Sequence, residues 1–216
     1  MLTLLSFSNV FSQDMWKFKG GINFSWFEDA NHSSSGVGYI VEVQRSINLS
    51  GYYDLLIGFN LQSRSGVLYD RTISYVLPDL SREISLTDIH ASVAYIEIPL
   101  VFGYTLSLPY ISFFPYVGGS LSFILADNTS FERKRLLYTN EEISELLRPD
   151  YSEKIESTFG NNHTDFIVNL GLELQLKHYI IEIRYIIDLR NAIWVDKIDK
   201  LKYKTQGLSI LLGYRI

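Results

Sequence analysis

Apolar and polar residues take turns along DFIVNLGLELQLKHYIIEIRYIIDL, Asp165 to Leu189, with one break at Lys177-His178. A period of two sends successive side chains to opposite faces of a strand, so the stretch reads as a hairpin with one greasy and one polar face. The same period recurs along the chain. Residues 16–27 set Trp16, Phe18, Ile22, Phe24 and Trp26 against Lys17, Lys19, Gly21, Asn23 and Ser25. Residues 53–64 set Tyr53, Leu55, Ile57, Phe59 and Leu61 against Asp54, Gly58, Asn60, Gln62 and Arg64. Segments 37–46, 91–106, 113–125, 166–177, 179–189 and 207–216 repeat the pattern. That makes eight strands of roughly ten residues or more, longer than usual and about the length a tilted strand needs to cross a bilayer.

The connections alternate in length. INLSGY, SLPYIS and the Lys177-His178 turn are short, whereas 28–36, 65–90, 126–163 and 190–205 are long. In an antiparallel array this places all short turns at one end and all long loops at the other, as in outer-membrane barrels. Within the longest loop, TNEEISELLRP (139–149) carries a capping-box spacing from Thr139 to Glu142 and a stop at Pro149, and predicts a short surface helix.

Alternation alone does not say which face is inside. A lipocalin-like soluble carrier would also have eight up-and-down strands, with the apolar face turned inward. Three features favour the opposite arrangement. Glycines gather on the polar face, at Gly21, Gly58, Gly118, Gly171, Gly207 and Gly213, where a narrow lumen needs room for large neighbours. Charges of both signs share that face: Lys17, Lys19, Arg64, Lys177, Arg184 and Arg215 against Glu42, Asp54, Glu97, Glu173, Glu182 and Asp188. Such near-cancelling sets suit a paired network in a closed lumen. Aromatics mark the strand ends of the apolar face, with Trp16, Tyr53, Tyr104, Tyr179 and Tyr214 near the short turns and Trp26 and Tyr39 near the long loops, as interfacial girdles do. The middle of the apolar face lacks charge; a lysine or arginine there would cost about 2–4 kcal/mol at the bilayer midplane. The expected fold is all-β: an eight-stranded antiparallel up-and-down transmembrane β-barrel with short periplasmic turns and long extracellular loops.

Composition is compatible with this. The 216 residues include 15 Tyr and 13 Phe, a surplus that favours strands. A net charge of −5 is too mild for a nucleic-acid surface, and the absence of cysteine excludes disulfides and Cys-based metal sites. The start, MLTLLSFSNVFSQD, resembles the end of an export signal without its basic region, with cleavage after Ser12. Residues 1–12 are thus expected to be signal and 13–216 the barrel domain; the alternative is a short first strand or a disordered tail.

Chemistry is sparse. His32, His90 and His163 lie in or beside long loops, with Asp88 and Asp165 nearby in sequence. A His–Asp pair could serve a loop-end hydrolase, but no nucleophile spacing, HExxH or paired-carboxylate motif accompanies it. No catalytic, cofactor or metal site is expected. An eight-stranded barrel is just filled by its own side chains, so the lumen charges read as structural pairs rather than an open pore. Pro99 inside a strand removes a ladder donor and is expected at a bulge. The run ERKR (132–135) reads as a solvated loop face, with anionic surface glycolipid as a second thought.

Three segments in order, FKGGINFSWF (18–27), YIEIPLVFGYTL (95–106) and PYVGGSLSFIL (115–125), resemble the PorT-like outer-membrane β-barrel family of Bacteroidota. The resemblance spans essentially all of the mature chain and implies an eight-stranded barrel in the bacterial outer membrane, in a family whose founding member serves protein secretion. It implies no catalytic residues. It also implies outer-membrane lipid as the surroundings and other envelope or secretion proteins as partners, through loops 65–90 and 126–163. One departure stands out: such barrels commonly end in Phe, whereas this chain ends Gly-Tyr-Arg-Ile.

Overall fold

The computed structural model describes residues 15–28, 33–76, 82–138, 164–189 and 204–216. They form strands β1 (Met15–Phe27), β2 (Ser33–Ser50), β3 (Tyr53–Val76), β4 (Arg82–Tyr104), β5 (Leu106–Ser107), β6 (Ser112–Tyr138), β7 (Thr164–Leu176), β8 (Tyr179–Asp188) and β9 (Thr205–Arg215). β5 is a two-residue continuation of β4 that pairs only with the foot of β6. The other eight close a ring, β1-β2-β3-β4-β6-β7-β8-β9, in which β9 returns to pair antiparallel with β1. Closure leaves no sheet edge at bilayer depth, where unpaired main chain has no water to bond.

The orientation follows from burial. Lys17, Lys19, Glu42, Arg64, Glu97, Glu173, Glu182, Arg184 and Asp188 are buried, while Phe18, Ile22, Val41, Phe59, Leu100, Val117, Leu170, Leu172, Ile183 and Leu212 are exposed. The charged face lines the lumen and the apolar face is outward. That is the inverse of a soluble carrier and the arrangement of a membrane barrel. The hairpin from Asp165 to Leu189 is β7 and β8, joined by the predicted turn, where Lys177 adopts a left-handed φ of 52°.

The long connections need correction. Segments 65–90 and 126–163 were expected as loops, yet β3 runs to Val76, β4 starts at Arg82 and β6 runs to Tyr138. These strands hold 24, 23 and 27 residues, whereas β7, β8 and β9 hold 13, 10 and 11. Among the described residues, a three-stranded sheet therefore projects past the other strands at the long-loop end. The extension breaks strict alternation in sequence, with Val67-Leu68-Tyr69 apolar on both faces and Asp70-Arg71-Thr72 polar on both, so it carries no period-two signature. The first long loop is also shorter than expected, because β2 begins at Ser33. The signal at residues 1–12, the helix at 139–149, His32 and His163 lie outside the described residues.

Pro99 is not at a bulge. The β3–β4 ladder passes from Ile57–Leu100 to Asn60–Glu97 in one unbroken register, and its shift lies at Leu68/Arg71. Two pairs beside the proline are simply unmade, as a residue without N–H requires.

A different irregularity shapes β2. Its pairing with β3 is interrupted between Ser35 and Ile40. Gly36 and Gly38 sit there opposite Ser25 and Asn23 of β1. With no side chains in the way, β1 reaches past β2: Asn23 Nδ2 donates to Ser63 O at 3.2 Å, and Ser25 Oγ donates to Ser65 O at 2.6 Å while accepting from Ser65 N at 2.8 Å. Ser63 Oγ accepts from Tyr39 N, and Ser65 Oγ donates to Val37 O. Serine and asparagine side chains thus satisfy main-chain groups that the ladder leaves open.

Candidate functional site

The strongest concentration of chemistry is the lumen. β1 supplies Lys17 and Lys19 two residues apart, hence on one face; Glu42 is the register partner of Lys19 on β2. β7 and β8 place Glu173 directly opposite Glu182. Like charges so placed repel, and the Lys19 ammonium resolves the conflict. Its Nζ lies 2.9 Å from Glu173, 2.5 Å from Glu182 and 2.8 Å from Glu42. Lys17 Nζ adds a second contact to Glu173 at 2.6 Å and stands 4.8 Å from the centre of the Phe114 ring. Arg184 grips Glu42 through two nitrogens, each at 2.8 Å, and reaches Glu182 at 2.6 Å. Three cations meet three carboxylates, so this layer is neutral. The parallel Arg184–Glu42 bonds have the fork geometry that makes such pairs strong.

Tyr116 completes the layer from β6: its hydroxyl donates to Glu182 and accepts from Arg184 Nε at 3.0 Å. Gly171 lies across the strand pair from Tyr116, and a Cβ there would stand 2.2 Å from the phenol ring. The absent side chain is what lets the ring lie across the lumen.

A second layer lies toward the projecting sheet. Arg64 pairs with Glu97 at 2.6 Å and with Asp188, and its guanidinium carbon stands 5.0 Å from the centre of the Tyr95 ring. Glu97 also accepts from Asn60 at 3.1 Å, from Gln62 and from Ser122 at 3.4 Å, while Thr205 donates to Asp188. A small cavity borders this layer, lined by Trp26, Phe27, Arg64, Val93, Tyr95 and Thr205 among others. Toward the short turns, Leu56, Val101, Phe114 and Tyr116 form an apolar layer.

Three residues expected among the lumen charges are elsewhere. Lys177 is exposed in the turn between β7 and β8. Asp54 is half-buried near the short turns, where it accepts from Asn48 at 2.9 Å and Thr105 at 2.6 Å. Arg215 donates to Gln175 Oε1 and to Lys177 O, each at 2.5 Å, and so ties β9 to the β7–β8 turn. Conversely, Tyr95, Tyr116, Gln62 and Thr205 take part although charge did not single them out. Their parity with Glu97, Gly118, Arg64 and Gly207 was the available signal.

On the outer face, aromatic rings cluster near the short turns: Tyr53 stacks on Phe102 at 5.6 Å and meets Tyr104 at 5.2 Å, and Tyr179 meets Tyr214 at 5.8 Å. Arg45 lies over Trp16 at 5.9 Å. Toward the other end, Trp26 pairs with Tyr185 at 6.3 Å and Tyr39 is exposed. Among the described residues, no group of three His, Cys, Asp or Glu is placed to hold a metal ion. All six charged groups of the neutral layer have partners, so the arrangement clamps β1, β2, β7 and β8 together.

Residues 11–194 match the family described as outer membrane protein beta-barrel domain. The chain belongs to that family. Membership, the closed ring and the apolar exterior together make this outer membrane protein a β-barrel of the bacterial outer membrane. Solved structures similar to it include Ail, the attachment invasion locus protein of Yersinia pestis, in complex with the heparin analogue sucrose octasulfate, at 10% identity and a TM-score of 0.41, over 94% of this chain and 99% of that one. Neisserial surface protein A is 9% identical with a TM-score of 0.38, over 92% and 96%. The outer membrane enzyme PagL is 13% identical with a TM-score of 0.38, over 93% and 99%. No curated protein matches the chain in sequence.

Proposed function

We propose that this outer-membrane barrel is a non-enzymatic, non-conducting scaffold that anchors a projecting sheet for binding another envelope or secretion protein. The observation that carries this is the lumen layer of Lys17, Lys19, Arg184, Glu42, Glu173 and Glu182, whose side chains span from β1 and β2 to β7 and β8 within hydrogen-bond distance. A barrel of eight strands has room for its own side chains and little else, so such a layer obstructs ions and solutes. The projecting strands β3, β4 and β6 are then the part that varies from a minimal barrel, and extended surfaces on a rigid scaffold are where binding resides. The resemblance to the PorT-like family of Bacteroidota makes secretion a fitting process. Planar-bilayer recordings of the refolded protein, with insertion verified by heat-modifiable gel migration, are expected to show no unitary currents. Stable current steps would overturn the closed-scaffold reading.

A further inference from the structure

Register fixes the level of each residue along the barrel axis. Paired residues followed strand by strand from Trp16, through Arg45 on β2 and Ile57 on β3, lead back to β1 at Trp26, ten residues nearer the long-loop end. Eight strands with that stagger incline by roughly 40° to the axis, so each residue along a strand advances about 2.5 Å in depth. From Gly103 the pairing runs through Tyr116 and Gly171 to Arg184. The share of the stagger over three strands is about four residues, which puts Gly103 level with Ile180 and Tyr104 level with Tyr179. Below these two tyrosines the rim differs. Tyr179 pairs with Leu176, and the turn between them holds Lys177 and His178, both exposed. Below Tyr104 the β4–β6 hairpin runs on: Leu106 pairs with Phe113, Ser107 with Ser112, and Leu108 N donates to Ile111 O at 2.8 Å. Leu108 lies about 10 Å deeper than Tyr104 at that inclination. The three short turns all lie among the described residues.

We propose that the tip of the β4–β6 hairpin, Leu106 to Phe113, is a one-sided membrane anchor lying in the headgroup layer of the periplasmic leaflet. Its occupant is phospholipid because the surface continues the lipid-facing face of the barrel. Parity keeps Leu106 and Leu108 outward with Phe102 and Tyr104. Leu106 is 49%, Leu108 58% and Tyr110 at the tip 84% exposed. Rings bridge the two zones: Phe102 meets Tyr53 at 5.6 Å, Tyr53 meets Tyr104 at 5.2 Å, and Tyr104 meets Tyr52 below it at 5.7 Å. Residues 104–113 carry no charge, so no polar break separates the tip from the belt above it. Tyrosine with leucine is also the composition that settles at the boundary between headgroups and acyl chains. A protein partner would have to displace lipid that already wets the same strands. On the opposite side Lys177 and His178 end the rim at water, so the barrel is held more deeply on one side. This holds whether or not the lumen conducts.

The test uses the full chain in nanodiscs of phosphatidylethanolamine and phosphatidylglycerol, with single bimane-labelled cysteines at Phe102, Leu106, Leu108 and Lys177. Each variant is first checked for native heat-modifiable migration. Iodide reports exposure to water and a nitroxide on the lipid headgroup reports contact with the leaflet. Labels at 106 and 108 are expected to be quenched by the headgroup nitroxide and to show about threefold weaker iodide quenching than the label at 177, as burial in the interface implies. Adding Leu106→Ser and Tyr110→Ser should raise iodide quenching at 108 to the level at 177. Equal iodide quenching at 106, 108 and 177 in the unsubstituted background would overturn the proposal and leave the tip as a surface for a protein. A label at 108 that stays shielded in the serine variant would also overturn it, because the strands alone would then set its depth.

Discussion

Removing the Lys19 ammonium would leave Glu42, Glu173 and Glu182 facing one another with only Lys17 and Arg184 between them. Breaking one member of a buried ion cluster costs about 3–5 kcal/mol, because the surviving charges stay buried and unpaired. Lys19→Met is therefore expected to lower stability by about that amount in urea unfolding from lipid vesicles. Adding Glu173→Gln to that variant should recover a large part of the loss, since both charges are then gone; a double variant no more stable than the single one would argue against mutual compensation. Gly171→Ala tests the neighbouring space. A Cβ 2.2 Å from the Tyr116 ring must displace it from Glu182 and Arg184, at roughly 1–3 kcal/mol as for other overpacked cores. Gly171→Ala paired with Tyr116→Phe should cost less than the sum of the two. At this scale the sequence told which face each residue occupies, because parity along a strand is a local property. It did not tell depth. Asp54 and Arg215 share the parity of the network but stand near the short turns, where turn and neighbouring-strand groups satisfy them. Nor could it tell partners, since Lys17 and Glu173 are 156 positions apart and meet only through closure of the ring.

Among the elements, the membrane-crossing halves were legible and the projecting halves were not. Hydrophobic alternation arises where lipid wets one face and the lumen the other. Beyond Arg64 on β3 and before Ala91 on β4 the sequence pattern breaks, although Leu68 and Ile89 are still buried, and strand and loop look alike in sequence. Main-chain hydrogen exchange separates them: amides of Val67–Val76 and Ile84–Val93 are expected to exchange at least tenfold slower than a free loop, as interstrand bonds predict. Loop-like exchange through both segments would restore a long loop. The break in β2 makes a second prediction. A Cβ at Gly38 would stand 2.0 Å from Ser63 O, so Gly38→Ala must push β2 away from β3 and loosen the bonds from Asn23 and Ser25. The expected result is a loss of about 1–3 kcal/mol, whereas Gly20→Ala, whose nearest neighbour is 3.8 Å away, should change stability little.

For the whole molecule, everything rests on which face of the strands meets lipid. A charged lumen enclosed by an apolar exterior has a consequence beyond stability: the sequence cannot bury its greasy face in a soluble core without exposing it elsewhere, so the bilayer is part of the fold. The chain lacks cysteine, so single cysteines can be placed and labelled without interference. The most direct measurement is a cysteine scan of β7 from Phe166 to Leu174, each variant carrying a small fluorophore and reconstituted with lipids bearing nitroxide on the acyl chain. Quenching is expected at 166, 168, 170, 172 and 174 and not at 167, 169, 171 and 173. Quenching of the opposite parity, or at no position, would contradict a barrel with its charges inside and its leucines in the membrane.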